Sequence, residues 1–223
     1  MKLQAVLFDL DGVITDTAEY HYLAWKQMAD HIGIDIDREF NETLKGISRM
    51  ESLERILIHG KREHDFSQDQ RESLAKEKND HYVSLLTHLS PENTYPGIRE
   101  LLEQLNQVHI PVVLTSASKN APQILKSLEL EDKFQYIVNP DGISGKPAPD
   151  IFLKGAEAVS ADPKYCIGIE DAQAGIEAIK AAGMYAVGIG EERLLSIAGA
   201  DIVYDSTAKL DLHSLVNAAS LAS

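Results

Sequence analysis

The chain opens with an apolar, partly β-branched run over residues 3–8 that stops at Asp9 and Gly12. Such a run predicts a buried strand followed by a loop. Polar, charge-rich sequence then takes over, with apolar residues at helical spacing: Tyr22, Trp25, Met28, Ala29 and Ile32, then Leu53, Ile56 and Leu57. That spacing predicts amphipathic helices, and no strand pattern interrupts residues 17–89. Ser90-Pro91 and Pro96-Gly97 punctuate the chain. Pro96 suits the first turn of a helix, where a fixed φ helps and a missing N–H costs nothing. Beyond it, helices are expected over residues 98–108, 121–128, 150–158 and 172–182. Strands are expected over residues 111–115, 136–138, 166–169, 185–189 and 200–203.

β-Branched strands joined by helices predict a parallel sheet covered on both faces. The fold class is therefore α/β: a Rossmann-like parallel sheet core with helices on both faces, plus an inserted all-helical cap domain. Residues 1–16 and 90–223 would form the core and residues 17–89 the cap. Ligands of such sheets bind at the carboxyl ends of the strands, so the polar residues that close each strand should converge. These are Asp9 and Asp11, then Thr115 and Ser116, then Glu170 and Asp171. The helical stretch leaves directly after the first pair and so can lie over the site as a lid.

Charge narrows the partners. Lys and Arg number 21 against 35 Asp and Glu, a formal net charge of −14, which repels nucleic acid and anionic lipid. Without an 18-residue apolar run or a charged-then-apolar leader, the expectation is a cytoplasmic protein with no membrane and no nucleic-acid partner. The single cysteine, Cys166, excludes an intramolecular disulfide; in an apolar strand it reads as buried and inert. The 8 histidines show no metal-ligand spacing, and Gly188-Ile189-Gly190 lacks the third glycine of a dinucleotide fingerprint.

The strand-end residues carry the candidate chemistry. Asp9-Leu10-Asp11-Gly12 sets two carboxylates on one side of an extended segment. Taken alone it reads as a solvated turn, and Ile14 and Tyr20 stand where a calcium loop needs Gly and Glu. A carboxylate held at a strand end is a plausible nucleophile toward phosphorus, with a second one beside it to move the proton. Glu170-Asp171 alone reads as a helix N-terminal acid pair. Together with Asp9 and Asp11 it makes a group whose like charges, about 4 Å apart, cost about 4 kcal/mol per pair at an effective dielectric of 20. A divalent cation relieves that cost, and carboxylate oxygens are what Mg²⁺ takes. Ser116, with the amides of Ala117 and Ser118, can cradle a phosphoryl group that Lys146, between Gly145 and Pro147, can neutralise.

Phe8-Asp9-Leu10-Asp11-Gly12-Val13, Thr115-Ser116, Lys146-Pro147 and Gly168-Ile169-Glu170-Asp171 with Gly175 resemble the four motifs of the haloacid dehalogenase superfamily. A finer likeness is to the β-phosphoglucomutase family within it. It is carried by residues 11–21, Ala24-Trp25-Lys26, Phe40-Asn41-Glu42, residues 44–49 and residues 116–120. The resemblance implies a phosphorylated nucleophile at Asp9, a general acid/base at Asp11, and Thr17 and His21 at the hinge, positioning Asp11. It implies Mg²⁺ held by Asp9, the Asp11 carbonyl, Asp171 and Glu170, the last directly or through water. Ser116 and Lys146 would bind the reacting phosphoryl. Lys45, Gly46, Ile47, Ser48 and Arg49 would engage the sugar and its distal phosphate. Trp25, Ser52 and Lys76 would line the sugar pocket, and Ser116, Ala117, Ser118, Lys119 and Asn120 would complete the substrate site. The implied reaction interconverts β-D-glucose 1-phosphate and glucose 6-phosphate, with β-glucose 1,6-bisphosphate as intermediate and activator. The implied partner is a small phosphosugar, and the implied state a monomer.

A sugar-phosphate phosphatase on the same scaffold is the alternative, differing in which nucleophile reaches the aspartyl phosphate, and a non-catalytic phosphosugar sensor is a third reading. A dehalogenase would leave Asp11 idle. The likeness departs at residues 139–145, where Asn139 stands for an expected Asp and the loop is slightly short, and it loosens after about residue 190.

Overall fold

A computed structural model describes residues 3–221. Six strands, β1 (Ala5–Phe8), β2 (Val112–Leu114), β3 (Tyr136–Ile137), β4 (Cys166–Glu170), β5 (Tyr185–Ile189) and β6 (Ile202–Tyr204), form one sheet in the order β3-β2-β1-β4-β5-β6. Every pairing is parallel. β1 shows why its sequence reads as an unbroken apolar run. Val6 and Phe8 pack into the cluster on one face of the sheet, Ala5 and Leu7 into the cluster on the other, and both sides are dry. Register then fixes the site: Phe8 lies beside Leu114 and Ile169, so the residues that follow, Asp9, Thr115 and Glu170, emerge in one row.

The helices of the core are α5 (Ile98–Gln107), α6 (Ala121–Ser127), α7 (Asp150–Ala158), α8 (Gln173–Ala181), α9 (Glu192–Ile197) and α10 (Leu212–Leu221). Those numbered α1 (Ala18–His31), α2 (Arg38–Glu42), α3 (Arg49–His59) and α4 (Gln68–Leu85) make the all-helical insertion. Ser48 and Ser67 start α3 and α4 by accepting hydrogen bonds from Glu51 N and Gln70 N. The insertion owns an apolar cluster in which Trp25, Met28, Leu53, Ile56 and Leu57 are buried. At about 1.5–3 kcal/mol per fully buried large side chain, that cluster is a substantial core for the insertion, while Ala24 and Tyr82 tie α1 and α4 to the cluster on the sheet.

The expected α/β order is observed. The last strand falls at Ile202–Tyr204 rather than at residues 200–203; Asp201, just before it, is tied to α8 and β5, its carboxylate accepting from Lys180 Nζ and Ala186 N, each at 2.7 Å. α9 and α10 lie where the sequence pattern predicts no element. No helix among the described residues is long and apolar enough to cross a membrane.

Candidate active site

A cavity of about 420 Å³ lies between the carboxyl edge of the sheet and the helical insertion. Its core wall is made by Asp9, Asp11, Gly12, Asp171 and residues 116–120; its cap wall includes Trp25, residues 44–50, Ser52, Lys76 and Lys78. Thr17, Lys146 and Glu170 are buried and lie behind that lining.

Asp9 caps β1, its N–H donating to Ile169 O at 3.0 Å, and is 5% exposed. Lys146, 1% exposed, donates from Nζ to Asp9 Oδ1 at 2.6 Å and to Glu170 Oε1 at 2.7 Å, with the Phe152 ring 5.2 Å away. Glu170 Oε2 accepts from Ala172 N at 2.8 Å. A β-carbon on Gly175 would overlap the Glu170 carboxylate, which is why glycine stands there. Gly12, at φ 80°, turns the chain beneath Asp171 in the same way, in the left-handed region open to glycine. Burial pushes the Asp9 carboxyl up to about 7; Lys146 opposes the rise, while Glu170 and Asp11 add to it. Asp171 is raised well above the ordinary carboxylate range by burial and by the charges of Glu170 and Asp9. Burial works against the Lys146 ammonium, but Asp9 and Glu170 outweigh it and the group is held charged.

One buried lysine does not neutralise these carboxylates. Asp9, Glu170 and Asp171 bring an oxygen each within 4.8 Å of one another, an all-oxygen set of the kind a hard divalent cation takes. Both oxygens of Glu170 already accept a bond, so Asp9 and Asp171 are the freer donors.

A second network holds Asp11. The Thr17 hydroxyl donates to Asp11 Oδ1, and the Tyr82 hydroxyl donates to Thr17 Oγ1 at 3.1 Å. His21 Nε2 lies 3.7 Å from Asp11 Oδ2, and Lys78 Nζ lies 2.8 Å from His21 Nδ1. With Lys78 donating to Nδ1, the imidazole proton sits on Nε2 and faces Asp11. Lys78 is 3% exposed, over the rings of Trp25 and Tyr82 at 4.8 and 4.6 Å. Burial, then the Arg49 charge, brings its ammonium down to about 7. Burial and the Lys78 charge lower His21 as well.

On the cap wall, Lys45 pairs with Glu42 at 2.8 Å and faces Asp171. Arg49 opens α3 facing Asp80 and, across the cavity, Asp141. Ile47 is buried, and the Ser52 hydroxyl donates to Ser48 O at 3.0 Å. On the core loop, Ser116 Oγ accepts from Ser118 N at 3.1 Å, and Lys119 pairs with Asp141.

The residues expected from the sequence therefore meet at one cavity or directly behind it. Lys76 is the weakest of them: it lines the rim, exposed, and pairs with Asp80 at 2.5 Å. The lysine that α4 turns inward is Lys78, which sequence reasoning missed. The signal was present, because Leu74, Ala75, Lys78 and Tyr82 form the buried face of α4 and a lysine on such a face calls for a reason. No sequence signal pointed to Asp141, or to Asn79, whose Oδ1 accepts from Asn120 Nδ2 at 2.9 Å.

A family model described as a haloacid dehalogenase-like hydrolase matches residues 3–183. The chain belongs to that family, as its four motifs led one to expect. The β-phosphoglucomutase of Bacillus subtilis is 50% identical over 214 residues, spanning 96% of this chain and 94% of its own. A crystal structure of β-phosphoglucomutase from Clostridium difficile matches with a TM-score of 0.96 at 46% identity, covering 99% of this chain and 98% of that one. A phosphorylated carbohydrates phosphatase of Thermotoga maritima is 30% identical over 185 residues, 82% of each chain.

Proposed function

We propose that the chain is a β-phosphoglucomutase that interconverts β-D-glucose 1-phosphate and glucose 6-phosphate through a phosphorylated Asp9. The observation that carries this reading is a single cavity with carboxylates on one wall and cations on the other: Asp9 and Asp11 belong to the core, Lys45 and Arg49 to the cap. Identity of 50% to the Bacillus subtilis enzyme over nearly the whole chain favours the mutase over the phosphatase.

An Asp9 oxygen attacks phosphorus of β-glucose 1,6-bisphosphate; the P–O bond to the sugar breaks, and Asp11 gives its proton to the leaving oxygen. The phosphoryl group is now an acyl phosphate on Asp9. The monophosphate turns over within the cavity and presents its other oxygen. Asp11 takes that proton as the oxygen attacks phosphorus, which regenerates the bisphosphate. Ser116 and Lys146 hold the reacting phosphoryl, while Lys45, Arg49, Lys119 and Asn120 serve the distal phosphate. Mg²⁺, held by Asp9, Asp171 and the Asp11 carbonyl with Glu170 behind them, would supply positive charge against the phosphoryl oxygens. The cap excludes water, so a sugar hydroxyl reaches the acyl phosphate first. One chain carries both walls, which is consistent with a monomer.

The test is a coupled assay with β-glucose 1-phosphate, Mg²⁺ and a trace of the bisphosphate, run beside a phosphate-release assay. Glucose 6-phosphate should form much faster than inorganic phosphate. Equal rates make the protein a phosphatase. Asp9→Asn should lose turnover while keeping its fold, since an amide preserves the shape but cannot form the acyl phosphate.

A further inference from the structure

Helix α4 runs along the seam between cap and core with three consecutive polar residues that face three ways. Lys78 turns inward to His21, Asp80 stays outside with Lys76, and Asn79, half-buried between them, reaches across the seam. Asn79 Oδ1 accepts a hydrogen bond from Asn120 Nδ2 at 2.9 Å. Asn120 lines the cavity and ends the core loop; its own N–H donates to Ser118 Oγ at 3.3 Å. The core thus fixes the backbone of Asn120, while the cap holds its side chain.

A carboxamide nitrogen carries two N–H donors. Asn79 takes one, which fixes the amide plane and leaves the other free for an anion. The two asparagines stand on opposite sides of the seam, so the bond exists only while the cap is down.

We propose that Asn79 is a positioning residue: by holding the Asn120 amide from the cap, it directs the remaining N–H to the non-reacting phosphate of a bisphosphorylated sugar. The distal phosphate site is then complete only while the bond across the seam is made. Asn79 touches no ligand itself and acts through Asn120. The inference rests on the mutase reading and deepens it.

The experiment is a double-mutant cycle in the Asp9→Asn protein, which binds without turning over, with β-glucose 1,6-bisphosphate and Mg²⁺ titrated by calorimetry. Asn79→Ala should weaken binding about three- to tenfold, the worth of one neutral hydrogen bond. In an Asn120→Ala background the same change should cost less than about twofold, because the group it positions is gone. Asn79→Asp keeps the acceptor in place, so its binding should still depend on Asn120 even where its added charge weakens the affinity. Equal losses in both backgrounds, no loss with Asn79→Ala, or an Asn79→Asp protein indifferent to Asn120 would overturn the assignment and leave the mutase reading standing. If the Asp9→Asn protein binds no bisphosphate at all, the mutase reading fails and the role of Asn79 fails with it.

Discussion

On the core side of the cavity, Asp9 is 5% exposed and Lys146, directly behind the wall, 1%, and Lys146 donates short hydrogen bonds to two carboxylates fixed at strand ends. On the cap wall, Lys45 pairs with a Glu42 whose side chain is 61% exposed, and Arg49 faces carboxylates of two different elements. The core wall is rigid and desolvated, as a site must be if its charges are to act on a transition state without reorganising. Apart from the buried Lys78, the cap wall presents Lys45 and Arg49 on flexible stems, and the Lys45–Glu42 pair is exposed and worth at most about 1 kcal/mol. For a mutase that division is useful. The reacting phosphoryl always occupies the same place, whereas the distal phosphate arrives on either end of a sugar that has turned over.

The comparison can be broken by substitutions on either side. Asp11→Asn should lower turnover by roughly 10²- to 10⁴-fold, the usual worth of a positioned acid/base, while Mg²⁺ affinity stays nearly intact, since the proposed metal contact is a backbone carbonyl. Rates and metal titration of the purified variant check this, and a large loss of Mg²⁺ affinity would turn Asp11 into a side-chain ligand. Lys146→Met should cost about 3–5 kcal/mol of stability by leaving Asp9 and Glu170 buried without their counter-charge, read by urea unfolding. Arg49→Ala should cost a charge-assisted contact of about 1.5–3 kcal/mol, about ten- to 150-fold in affinity for β-glucose 1-phosphate. Phosphorylation of Asp9 by acetyl phosphate, which has no distal phosphate, should suffer far less. Equal losses in the two reactions would move Arg49 from the clamp to the fold.

A pH dependence on the cap side sharpens the comparison as well. Lys78 has its ammonium brought from an ordinary 10.5 down to about 7 in the folded protein. Between those values the unfolded chain binds a proton that the folded one does not, so the contribution of Lys78 to stability rises with pH across that window. Compared with Lys78→Met, the parent protein should gain stability from pH 7 toward 10.5 in denaturant titrations. Parallel curves would show that Lys78 keeps its proton when folded.

The same division governs what the sequence discloses. Core-wall residues follow strands, and a strand's end is visible as the place where an apolar run meets polar residues; Asp9, Ser116 and Glu170-Asp171 are legible for that reason. The network behind Asp11 is less so. Thr17 and His21 lie at the start of α1, while Tyr82 and Lys78 share a face of α4 whose period is legible but whose partners on α1 are not. Lys76 and Lys78 differ by two residues, and helical geometry sends one to the rim and the other inward. Asp141 reaches the cavity from the residue 139–145 loop, where the sequence departs from its family's pattern. α9 is six residues long, too short for a periodicity to register.

The central claim is that Asp9 carries the phosphoryl group and hands it to a sugar rather than to water. It is tested most directly by exposing the enzyme with Mg²⁺ to acetyl phosphate, mapping the phosphoryl group by peptide mass spectrometry, and chasing with glucose 6-phosphate. The account predicts one phosphoryl group on Asp9, absent in Asp9→Asn, that moves into β-glucose 1,6-bisphosphate faster than inorganic phosphate appears. A phosphoryl group on another residue, or a chase that releases only inorganic phosphate, would contradict it.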